Sequence, residues 1–147
     1  MEEFVEFFYS NPTESELFNY LENSLPLGTD NLGLNAAHYL LQRHYLPKFT
    51  QVIQESMLCQ GDLTGKTPLH FLAFKGRVKE LLEVIGDRLE WFQLEDKTHR
   101  SVYQLALENS SFKKSFLLIR RVSEVTEFVS QVSKATKFRE YILKKVN

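Results

Sequence analysis

The chain has 147 residues, 43% of them apolar and 25% charged, which fits one globular domain rather than a disordered or fibrous chain. Its single cysteine, Cys59, excludes an intrachain disulfide and the Cys₄ and Cys₂His₂ zinc sites, and no apolar run reaches the roughly 18 residues of a membrane span. The net charge of −1 hides an asymmetry: residues 1–62 hold nine acids and two bases, residues 63–147 ten acids and sixteen bases. The start, Met1-Glu2-Glu3, lacks the basic n-region of a signal peptide. The expectation is an intracellular, cytoplasmic protein, neither disulfide-bonded and secreted nor transmembrane.

The chain reads as a single domain, 1–147, of stacked helix pairs. Residues 1–27 form an N-terminal capping pair. Its first helix carries Val5, Phe8 and Tyr9. Its second follows Pro12, opens with a capping box over Thr13–Glu16, and carries Leu17, Tyr20 and Leu21. Three similar segments come next, at 28–61, 62–95 and 96–121, offset by 32 and 34 residues. Their apolar spacing predicts one helix near 36–43, 68–75 and 102–109, and a second near 46–55, 78–86 and 112–121. Residues 122–147 supply C-terminal capping helices, one with Val122, Val125, Phe128, Val129 and Val132 on a stripe, the other with Phe138, Tyr141, Ile142 and Val146.

The columns of the repeat are specific. Asp30, Asp62 and Asp96 share one column. Asn35, Thr67 and Ser101 share another, and all three are N-cap residue types. The first-helix core columns are Leu40, Leu72, Ala106 and Leu41, Ala73, Leu107. Those of the second are Leu46, Val78, Phe112, then Val52, Val84, Leu118, then Ile53, Ile85, Ile119. All six glycines fall in predicted turns, and Pro68 stands in the first turn of its helix.

In the middle segment Gly65, Thr67-Pro68-Leu69-His70, Ala73 and Gly76 stand in an order that resembles the ankyrin repeat, whose period is about 33 residues. The first segment keeps Asp30, Gly33, Ala37 and His38. The third keeps Asp96 and Ala106, but has His99 where glycine is expected and Ser101-Val102-Tyr103-Gln104 in place of Thr-Pro-Leu-His. The resemblance covers residues 28–121. It implies an all-α solenoid with β-hairpin fingers projecting near 28–34, 60–66 and 94–100.

By the same resemblance, a protein partner is bound on the concave face formed by the fingers and first helices. The implied contact residues are Asn31, Leu32, Leu34, Gln42 and Arg43 in the first repeat; Leu63, Thr64, Lys66, Phe74 and Lys75 in the second; Lys97, Thr98, Arg100, Glu108 and Asn109 in the third. The face runs from apolar to basic, so the expected partner has apolar anchors and an acidic strip. A one-domain ankyrin chain suits an inhibitor or a subunit better than a scaffold. Viruses and intracellular bacteria make such chains as effectors against eukaryotic pathways, which makes a host protein one class of partner.

Catalysis, metals and cofactors find no support. His38 and His70 occupy equivalent positions, where the resemblance has the ring bonding the backbone of the adjacent turn; no Cys, Asp or Glu recurs beside them at ligand spacing. Cys59 lacks a base and an orienter. Gly61 to Thr67 falls one residue short of a phosphate-loop spacing. Trp91 is placed as an apolar plug after the second helix of the middle repeat, the alternative being an interface anchor. The alternative function is binding to an anionic surface, either membrane lipid or nucleic acid, through residues 113–147, with nine bases against three acids. No small-molecule substrate is expected.

Overall fold

The computed structural model describes residues 1–25 and 27–126 of the chain. It is mostly helical, and among the described residues there is no strand. Helices α1 (Glu2–Tyr9) and α2 (Glu14–Ser24) form an antecedent pair. The Thr13 hydroxyl accepts the Glu16 N–H while the Glu16 carboxylate accepts the Thr13 N–H, which is the capping box the sequence promised. Phe4, Phe8, Leu17 and Leu21 are fully buried, whereas Tyr9 is exposed and Val5 and Tyr20 only half-buried. The inward face of α1 therefore runs through Phe4 and Phe8, four residues apart, rather than Val5 and Tyr9.

Three units follow. The first helices are α3 (Ala36–Leu40, continued by a 3₁₀ turn, Leu41–Arg43), α5 (Pro68–Phe74) and α7 (Val102–Asn109). Helix α5 packs between α3 and α7. Each starts with a reciprocal cap, from Asn35, Thr67 and Ser101. The core columns Leu40, Leu72, Ala106 and Leu41, Ala73, Leu107 are all buried.

The second elements are less regular. Residues Leu46–Phe49 form only a 3₁₀ turn, and a separate helix, α4 (Glu55–Cys59), replaces the end of the helix expected over 46–55. Pro47 stands in the first turn, where its missing N–H costs nothing, and it is the β-branched Thr50, Val52 and Ile53 that disfavour propagation. Helices α6 (Val78–Ile85) and α8 (Phe112–Thr126) form as expected and lie against one another, and the 46–49 turn packs on α6. Leu69, Leu81, Val84, Ile85 and Leu118 are buried, Val52 and Ile119 half-buried. A 3₁₀ segment, Leu89–Gln93, buries Trp91, with the Arg88 guanidinium 4.2 Å from the centre of its ring. Trp91 is thus the plug expected of it. The side chain of Phe112, those of the first C-terminal stripe beyond Val122, and residues 127–147 lie outside the described residues.

The expected β-hairpin fingers are not present as strands. Each junction is instead a tight turn, and among the described residues only Glu95 and Ser101 pair as an isolated antiparallel bridge. A column aspartate closes each turn. In each turn its Oδ1 accepts the backbone N–H groups two and four residues on: Leu32 and Leu34 from Asp30, Thr64 and Lys66 from Asp62, Thr98 and Arg100 from Asp96. The main chain closes over the same five residues, as Asp62 N–H donates to Lys66 C=O at 2.9 Å and Gly65 N–H to Asp62 C=O at 2.9 Å. Side chain and backbone together fold the segment into a loop too short for a ladder.

Candidate functional site

Successive turns stack. Leu63 N–H donates to Leu32 C=O, and Lys97 N–H to Thr64 C=O, each at 3.0 Å. This approach requires glycine. Gly33 and Gly65 have φ of +81° and +78°, and a Cβ on them would stand 2.8 Å from Leu63 N and 2.7 Å from Lys97 N. His99, in the same column, adopts φ of +63° in the third turn, and its side chain points into open solvent. The turn geometry survives there because it needs the left-handed backbone, whereas the glycine is needed only where another turn lies against it.

Two histidines lock this stack from inside. His38 Nδ1 accepts the Asn35 N–H at 3.0 Å, which leaves the proton on Nε2 to donate to Lys66 C=O at 3.0 Å. His70 repeats the pattern one unit later, accepting from Thr67 N–H at 3.2 Å and donating to Arg100 C=O at 3.2 Å. Each ring therefore ties its helix to the turn of the next unit. Burial holds both imidazoles below their ordinary pKa, against the opposing pull of those carbonyls and of nearby aspartates. For Asp30, Asp62 and Asp96 burial acts upward, but hydrogen bonds outweigh it, from the Tyr39 hydroxyl and the turn amides at Asp30 and from the Thr64 and Thr98 hydroxyls and the turn amides at Asp62 and Asp96, so all three carboxyls sit below the usual range. In the third unit Gln104 takes the histidine's place, and its Oε1 accepts the Ser101 N–H at 3.0 Å.

The expected contact residues divide into groups. Asn31, Leu32, Leu63, Phe74, Lys75 and Lys97 are exposed, and Lys66 is half-buried. Leu32 and Leu63, on adjoining turns, are 64% and 60% exposed, and Phe74 is 59% exposed, which is high for large apolar side chains in a folded unit. Others are already engaged. The Thr64 and Thr98 hydroxyls donate to Asp62 and Asp96. Leu34 is half-buried. Arg100 pairs with Glu108 at 2.8 Å, and Asn109 donates to Leu105 C=O within its own helix. In the first unit the chain's own α1 reaches the surface: the Arg43 guanidinium lies 4.1 Å from the centre of the Phe8 ring, and Tyr9 OH donates to Gln42 Oε1 at 3.1 Å.

The missed feature is this occupation of Gln42 and Arg43 by Phe8 and Tyr9. Column alignment treats every unit alike and carries no signal for a neighbour folding back on one of them.

On the opposite side, α8 uses two of its bases internally. Lys114 Nζ donates to Gly76 C=O and Arg121 to Gly86 C=O, the main-chain carbonyls flanking α6. Lys134, Lys137, Arg139, Lys144 and Lys145 lie outside the described residues. Cys59 is half-buried, and its thiol is pushed up chiefly by that burial, with Arg88 opposing. Among the described residues no three His, Cys, Asp or Glu side chains converge as metal ligands, and no helix is long and apolar enough to cross a membrane. Comparison of the chain with protein-family models, with curated proteins and with solved structures returns no match.

Proposed function

We propose that the chain is an ankyrin-repeat protein whose work is non-catalytic: it binds a protein partner through the surface formed by its turns and first helices. The observation that carries this reading is a hydrogen-bonded stack of turns presenting Leu32 and Leu63 to solvent, with Phe74 exposed at the end of the neighbouring α5. Exposed apolar side chains on a scaffold fixed by buried caps and histidines are the usual makings of an interface. A single small domain of this kind acts most simply by occupying its partner, so inhibition is the mode of action that goes with the reading. A host protein met inside a eukaryotic cell is the partner class the resemblance suggests.

Affinity capture from eukaryotic cell lysate tests it, with the wild-type chain beside Leu63→Ser/Phe74→Ser. The expected result is a protein retained by the wild type and lost with the variant, while both melt alike. Retention of the same proteins by both would remove this surface as the site.

A further inference from the structure

We infer that the partner segment is an acidic amphipathic peptide with aromatic anchors, seated across Leu32, Leu63, Phe74 and Lys75; this rests on the protein-binding reading above. One observation concerns charge. Most carboxylates around the turns are already engaged: Asp30, Asp62 and Asp96 by turn amides and Glu108 by Arg100, while Glu95 is exposed. Lys66, Lys75 and Lys97 make no ion pair among the described residues. A partner carboxylate can therefore meet three cations on this surface without displacing an existing contact.

The second observation is a ring and a cation side by side. Phe74 and Lys75 are adjacent at the end of α5 and both are exposed. An incoming aromatic side chain stacks on Phe74 and beside Lys75, while flanking Asp or Glu residues reach Lys66 and Lys97.

A random linear peptide library displayed on phage, selected against the full chain, tests this. Enriched peptides are then titrated by fluorescence anisotropy against wild type, Lys66→Glu/Lys75→Glu/Lys97→Glu, Leu63→Ser/Phe74→Ser and the single Phe74→Ser, each checked for an unchanged urea midpoint. The expected peptides combine Phe, Tyr or Trp with Asp or Glu, and both multiple variants weaken them roughly tenfold or more. Enriched peptides that lack acids yet still depend on Leu63 and Phe74 would overturn the acidic chemistry and leave the binding surface standing. Peptides indifferent to every variant, or no enrichment at all, would overturn the docked segment, and the lysate capture would then decide the broader reading by itself.

Discussion

Gly65→Ala tests the stacked turns most directly. The substitution does two separable things. It places a non-glycine residue at φ of +78°, a strain of about 1–2 kcal/mol. It also sets a Cβ 2.7 Å from Lys97 N and 3.0 Å from Lys97 Cγ. The Lys97 backbone must retreat, and its hydrogen bond to Thr64 C=O is lost, for about 1 kcal/mol more. The stiffer alanine returns about 0.4–1 kcal/mol through the unfolded chain, so the net loss should be about 1.5–2.5 kcal/mol. Gly28→Ala is the matched control. Its φ is +74°, but nothing lies within 4 Å of the added Cβ, so only the strain and the unfolded-chain gain remain, about 0.5–1 kcal/mol net. His99→Gly completes the series: the same two terms with their signs reversed should stabilise by about 0.5–1 kcal/mol, and the midpoint should rise. Urea unfolding followed by circular dichroism gives all three values on one slope. Equal midpoint shifts for Gly65→Ala and Gly28→Ala would refute the argument that close approach, rather than backbone conformation alone, demands glycine at position 65.

Three further outcomes follow from the geometry. Leu81→Ala empties a fully buried site and should cost about 2–5 kcal/mol, read as a lowered thermal midpoint; Leu69→Ala should behave alike. His38 and His70 are neutral when folded and titrate below their unfolded value, so the unfolded chain takes up protons first. Stability should be complete above about pH 6.5 and fall as the pH drops below it, with a second decline beneath about pH 3.8 as the turn aspartates protonate. His70→Gln, which copies Gln104, should flatten the first decline, and an unchanged profile in urea melts across that range would contradict it. Leu63→Ser and Phe74→Ser, at exposed positions, should alter stability by less than about 0.5 kcal/mol, measured in the same melts.

Much of the architecture was legible because its decisive residues act locally. Asp62, Thr67 and His70 each bond atoms within four residues of themselves, and such chemistry repeats wherever the residue types repeat. The buried columns were legible for the same reason, since Leu40, Leu72 and Ala106 occupy one helical position in three copies. What failed depended on competition. The second helix of the first unit lost to the β-branched Thr50, Val52 and Ile53, a local preference that periodicity overlooks. The fingers close on their aspartates as short turns, and among the described residues only the third adds a flanking bridge, Glu95 with Ser101. For the candidate surface, the exposed Leu32, Leu63 and Phe74 were named from the sequence. The engagement of Gln42 and Arg43 by Tyr9 and Phe8 depends on where α1 folds back, which is a tertiary fact with no trace in the columns.

The histidine bonds point one way along the chain. His38 depends on the turn of the second unit and His70 on that of the third, whereas Gln104 closes upon its own cap. Removing the third unit would take the acceptor of His70 and leave His38 bonded to Lys66, whereas removing the first would break no ring bond of the second but would take the acceptor of the Leu63 N–H. The side-chain bonds and the main-chain bonds thus cross each junction in opposite directions, so that neither end of the stack can be lost without leaving a broken bond on the unit that remains.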